Sequence, residues 1–162
     1  MESNYRNQKE VEDNFSFERR CQPYADDFYR SKGYTPERVE GPENKLYDVK
    51  LKKNGVKVTV EEKFLRNDAD IMFVEIKQDT ETDAPGWIEY TRATYLFYVM
   101  PSGAILCFMS KLKKFIRYYG SFYPDAICTK GWGRTLNKVI PIEVILENKI
   151  GKDVGSIFPC TE

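Results

Sequence analysis

Between residues 45 and 77 apolar and polar positions alternate with a period of two, as in strands whose successive side chains point to opposite faces. Residues 45–52 predict a first strand and VKVTVEEKF a second. The Asn54-Gly55 pair between them is a strong hairpin signal, which makes the two strands antiparallel neighbours. In the second strand Val56, Val58, Val60 and Glu62 share one face, while Thr59, Glu61 and Lys63 share the other. A third strand, ADIMFVEIKQ, alternates Met72, Val74 and Ile76 with Phe73, Glu75 and Lys77, and Asp68 and Asp70 fall in the turn before it.

Elsewhere the period changes. Phe17, Cys21, Tyr24 and Phe28 recur at spacings of four, three and four, which predicts an amphipathic helix within residues 7–31; Pro23 inside it predicts a kink or two short helices. YTPERVEGPEN, residues 34–44, predicts a loop, as do the acidic residues 78–85. WIEYTRA predicts one or two helical turns, leading into TYLFYVM, whose continuous apolar run suits a central strand covered on both faces. After a turn at Pro101 to Gly103 comes a fifth strand, AILCFMS. KLKKFIRYY places Leu112, Phe115, Ile116 and Tyr119 at helical spacing with lysines opposite, a basic amphipathic helix. Residues 122–138 read as a long loop, and VIPIEVILENKI as a closing strand and helix. These elements predict an α/β (α+β) fold, a central mixed sheet flanked by helices.

The 162 residues fit a single domain, 1–162, long enough to bury a core without staples, and 41% hydrophobic with 31% charged content favours a packed domain over a disordered chain. No apolar run approaches the roughly 20 residues of a membrane helix, and MESNYRNQKEVED has no signal-peptide stretch, so the expected location is cytoplasmic with no membrane partner. Cys21, Cys107, Cys128 and Cys160 lie far apart and histidine is absent, which argues against a zinc site and removes every mechanism that needs an imidazole. Any catalysis must run on carboxylates, lysine, tyrosine or metal.

The formal net charge of zero hides an uneven distribution: residues 1–89 hold 15 Lys and Arg against 20 Asp and Glu, whereas residues 90–142 hold 8 against the single acid Asp125. Arg92, Lys111, Lys113, Lys114, Arg117, Lys130, Arg134 and Lys138 could form a phosphate-attracting face, with Lys77 or Gln78 as a further contact. Against it stands an acidic half with Asp48 on the first strand and Glu61-Glu62-Lys63 on the second. Two carboxylates and a lysine on one sheet edge suggest metal-dependent phosphodiester hydrolysis, because a divalent cation needs hard oxygen ligands and the attacking water needs a proton-handling group.

Asp48 followed by Glu61-x-Lys63, in the order helix, three strands, helical turn, strands and helix, resembles the PD-(D/E)XK nuclease superfamily. The resemblance implies a restriction-endonuclease-like core of αβββαβ order, and the chain looks like a group of small phage and bacterial members of that superfamily. It implies that Asp48 and Glu61 bind Mg2+ (or Mn2+) and that Lys63 positions or activates water, with Glu75 as an accessory ligand and Glu18 on the first helix completing the shell. Tyr47 stands where the naming proline would be, and Glu62, usually apolar in the family, leaves open whether Glu61 or Glu62 faces the metal. Glu75-x-Lys77 with Asp68 or Asp70 is a secondary placement of the same motif. The expected function is therefore a magnesium-dependent nuclease acting on DNA, with a homodimer as a possible assembly. The alternative is a catalytically inactive module of the same fold that binds nucleic acid or protein.

Overall fold

The computed structural model describes residues 2–130 and 133–159. Helix α1 (Glu2–Ser31) leads into a short strand β1 (Thr35–Arg38), a 3-10 turn (Gly41–Lys45), and the hairpin β2 (Val49–Lys53) and β3 (Val56–Phe64). Next come β4 (Ile71–Asp79), β5 (Ala84–Pro85), the one-turn helix α2 (Trp87–Tyr90), β6 (Tyr95–Val99) and β7 (Ala104–Phe108). Helix α3 (Met109–Tyr119), β8 (Asp125–Lys130), β9 (Gly133–Pro141), α4 (Ile142–Glu147) and β10 (Gly151–Gly155) complete the described chain.

The strands form two sheets. The larger is mixed, with six strands in the order β1-β2-β3-β6-β7-β10; β3 and β6 run parallel and every other pair is antiparallel. A parallel pair needs a long crossover, and here it carries β4, β5 and α2. The smaller sheet has the order β5-β4-β9-β8 and is antiparallel. One face of the large sheet buries Val49, Val60, Phe97 and Val99 against Ala25 and Tyr29 of α1. The other buries Leu96, Tyr98, Ile105 and Cys107 with Met72 and Val74 of β4, Trp87 of α2 and Leu112 of α3. β6 is thus covered on both faces, as its apolar run requires.

Several expectations are corrected. Helix α1 passes through Pro23 unbroken: the ring lies on the exposed side, and the helix buries Cys21, Ala25 and Tyr29 at 5%, 0% and 3% exposure, which offsets a proline cost of about 3 kcal/mol. Part of the expected loop at 34–44 is β1, a polar edge strand. The first strand of the hairpin begins at Val49, so Asp48 stands just before it. The third expected strand does not extend the β2–β3 meander; β4 pairs with β9 in the second sheet, so the αβββ order along the chain does not produce three adjacent strands. The expected loop at 122–138 holds β8 and most of β9, and β10 follows α4. Periodicity shows that a strand has two unlike faces and says nothing about its partner.

Candidate active site

The β2–β3 turn sets the geometry. Asn54 and Gly55 both adopt positive φ, 50° and 76°, the conformation of a two-residue hairpin turn. The resulting register pairs Val49 with Val60. Asp48, just before β2, bonds the Val60 carbonyl through its amide at 2.9 Å, one position off that register, which keeps it beside the Val60–Glu62 segment of β3. The Asp48 carboxylate is held in turn: Oδ2 accepts from the Glu62 amide at 2.7 Å, and Oδ1 accepts from Asn44 Nδ2 at 3.4 Å.

Glu61 is buried, and Lys63 Nζ donates to its Oε1 at 2.6 Å. The ammonium also lies 5.4 Å from the centre of the Trp87 ring on α2, within cation–π range. Burial raises the Glu61 pKa; Lys63 opposes that shift and the nearby Asp48 carboxylate adds to it. Burial alone would depress Lys63, but the carboxylates of Glu61, then Asp48, then Glu18 hold it above its ordinary value. Lys63 is therefore a charged ammonium at neutral pH.

The neighbouring acid faces the other way. Glu62, also buried, accepts from Tyr29 at 2.7 Å and pairs with Arg38, whose guanidinium reaches Asp26 at 2.6 Å and the Gln22 carbonyl at 3.1 Å. Burial pushes Glu62 up to about 7 against the opposing pull of Arg38 and Tyr29. Of the two glutamates, Glu61 shares a face with Lys63, while Glu62 ties the sheet to α1. Tyr29 and Arg38 lie 33 and 24 positions from Glu62, too far for any local pattern to reveal the contact.

Glu75 is buried on β4 and comes from the second sheet rather than from an adjacent strand. It stays close to the site because Gly86 crosses directly over it: a Cβ at Gly86 would lie 2.2 Å from the Glu75 carbonyl oxygen, and the Gly86 amide donates to the Ile76 carbonyl at 2.8 Å. This contact sets α2 across β4. At its last residue, the Tyr90 phenol has its pKa raised by burial, lowered by the Lys63 charge, and raised by the charges of Glu61, Glu75 and Asp48. Glu18, exposed on α1, reaches the group through its charge on Lys63. Trp87, Tyr90 and Thr91 border the site; the sequence pattern read them only as part of a segment of one or two helical turns, with packing as the expected role of Trp87 and the tyrosines. Asp68 accepts from the Ser102 amide at 2.9 Å, and the carbonyl of Asp70, just before β4, accepts from the Ile142 amide at 2.8 Å.

The expected phosphate-binding residues are dispersed. Lys113 is close to the site, its ammonium bonded at 2.7 Å to the carbonyl of Thr91, and Arg92 follows with an exposed side chain. Lys114 and Arg117 are exposed on α3, whereas Lys111 turns to the Lys149 carbonyl at 2.9 Å. Lys77 pairs with Asp83, Arg134 with Glu81 at 3.6 Å, and Lys138 with Asp125 at 2.6 Å, all on the second sheet. The side chain of Lys130, like Trp132, lies outside the described residues.

Among the described residues no group of three or more acid, cysteine or histidine side chains is drawn together tightly enough to cage a metal. The pair Asp48 and Glu61 nevertheless fits magnesium, which takes one or two carboxylates and completes its shell with water and phosphate oxygens; it does not fit a calcium cage of six or more protein oxygens. Among the described residues no helix is long and apolar enough to cross a membrane. Scanning the chain against models of known protein families gives no match, and a search of curated proteins gives none either.

Proposed function

We propose that this protein is a magnesium-dependent nuclease that hydrolyses DNA phosphodiester bonds, with a restriction-endonuclease-like arrangement in its large sheet. The observation that carries the reading is the Lys63–Glu61 contact at 2.6 Å, with the Asp48 charge acting on both groups. The basic side chains of Arg92, Lys113 and Lys114 around α2 and α3 support a polyanionic substrate.

Asp48 and Glu61 would hold Mg2+ or Mn2+, with Glu75 and Glu18 near enough to act through charge. A bound cation supplies electrophilic stabilisation of the phosphoryl oxygens and lowers the pKa of coordinated water. Lys63, kept protonated by three carboxylates, does not take a proton from water; it donates hydrogen bonds and opposes the negative charge that grows on phosphorus-bound oxygen. The Trp87 ring beside it restricts where the ammonium can move. Purified protein incubated with circular, linear and single-stranded DNA plus Mg2+ or Mn2+ tests the proposal. Absence of cleavage, or cleavage unchanged in Lys63→Ala, refutes it.

The second reading, a non-catalytic binding module, is supported by the same contact seen differently: Lys63 already neutralises Glu61 without any metal ion. Calorimetry with Mn2+ separates the two, since only the first expects binding that Asp48→Ala abolishes.

A further inference from the structure

The face of the large sheet that carries α1 is only partly covered by it. Beyond the last turn of the helix lies an open groove of about 500 Å3. Its floor is a row taken from five adjacent strands: Leu51 of β2, Val58 of β3, Tyr95 of β6, Leu106 and Phe108 of β7, and Val154 of β10. At the spacing of neighbouring strands the row runs for about 19 Å. Two of its members are aromatic and accessible: Phe108 is 44% exposed and Tyr95 half-buried, their ring centres 5.2 Å apart.

Lys32, Lys53 and Lys152 also line the groove, against one acid, Asp153, whose Oδ1 is engaged by the Gly155 amide at 2.8 Å. None of these three lysines has a carboxylate partner among the described residues. Their neighbours on the opposite face of β2 do: Lys50 bonds Glu43 at 3.0 Å and Lys52 bonds Glu37 at 2.9 Å. Lys53 instead stands 5.2 Å from the Tyr34 ring centre and donates to the Lys32 carbonyl at 2.7 Å. The groove therefore combines flat aromatic surface with cations that no carboxylate among the described residues neutralises.

We propose that this groove binds single-stranded nucleic acid, with bases stacked on Tyr95 and Phe108 and backbone phosphates drawn to Lys32, Lys53 and Lys152. Stacking platforms set in a cationic track are the physical basis of sequence-tolerant single-strand binding. The uncompensated positive charge favours a polyanion, and the exposed rings favour one that carries planar groups over an acidic peptide. Because Val58 lies on this face and Glu61 and Lys63 on the other, the groove is separate from the candidate active site and does not depend on hydrolysis.

The test is fluorescence anisotropy of a labelled 15-residue oligo-dT in EDTA. Wild type binds; Phe108→Leu and Tyr95→Leu, which keep apolar bulk and remove the flat face, each weaken binding by about 5- to 150-fold. The double variant Lys53→Gln, Lys152→Gln lowers the slope of log K against log salt by about 1.4. Lys52→Gln leaves both affinity and slope unchanged. Circular dichroism confirms that each variant is folded; should Tyr95→Leu unfold, Phe108→Leu and the lysine pair still decide. No binding by wild type, binding indifferent to Phe108→Leu and to the lysine pair, or displacement by polyglutamate as effective as by unlabelled oligo-dT overturns the proposal. Cleavage is blocked in EDTA, so a failed nuclease assay and a failed groove are told apart.

Discussion

Lys63 donates a 2.6 Å hydrogen bond to Glu61, two positions earlier on the same strand face. Removing the ammonium takes away the only cation bonded to that buried carboxylate among the described residues. Lys63→Ala is expected to reduce DNA cleavage in Mg2+ by about 10²- to 10³-fold, the size of effect seen when one electrostatic donor is lost from a reacting site. Lys63→Arg keeps the charge but brings a planar fork in place of a compact ammonium, and should recover stability more than activity. Cleavage rates and urea unfolding of the three proteins check this, and wild-type rates in Lys63→Ala would sink it.

Asp48→Asn separates charge from scaffold. The amide oxygen can still accept from the backbone N–H of Glu62, now bonded at 2.7 Å, so the melting temperature should change by only a few degrees. Mn2+ affinity, measured by calorimetry, should fall at least about tenfold, since the substitution halves the carboxylate set. Unchanged Mn2+ affinity would remove Asp48 from the ligand set.

Glu62 gives a pH signature. Its carboxyl titrates at about 7 when folded against an ordinary 4.5, so the folded state binds the proton more tightly. That contribution to stability is present below the ordinary value and is lost as pH rises through about 7. In EDTA, the unfolding free energy of wild type minus that of Glu62→Gln should drop by about 2 to 3 kcal/mol between pH 5 and pH 8. A difference that stays flat or grows over this range contradicts the assignment.

Gly86→Ala places a methyl 2.2 Å from the carbonyl oxygen of Glu75, where both sides of the clash are backbone. Destabilisation of about 2 to 3 kcal/mol is expected, at the upper end of overpacking effects. Cleavage should fall with it, because α2 carries Trp87 and Tyr90 to the site. A fully stable, active alanine variant would show that the crossing of α2 over β4 relaxes freely.

Local pattern made part of this structure legible. The bounds of β3, its turn and the shared face of Glu61 and Lys63 follow from a period of two and an Asn-Gly pair, both set within ten residues. The placement of Glu75 was not legible, because β4 alternates equally well whichever strand it joins and its partner β9 lies some 60 positions onward. β8 and β9 were hidden by buried polar residues, Thr135 and Asn137, which bond each other at 2.9 Å and blur the apolar alternation. The Tyr29–Glu62–Arg38 cluster needs three separate elements to meet, and it explains why an acid sits at a position that should favour an apolar side chain.

Consecutive glutamates on one strand are sent to different surroundings, one towards α2 and one into the contact with α1. Adding or deleting a single residue at the Asn54-Gly55 bend would invert that assignment for the whole of β3, exposing its valines and leaving Arg38 without its mate. Chemistry and folding here answer to the same count of residues, so the hairpin's length is as tightly constrained as any side chain it presents.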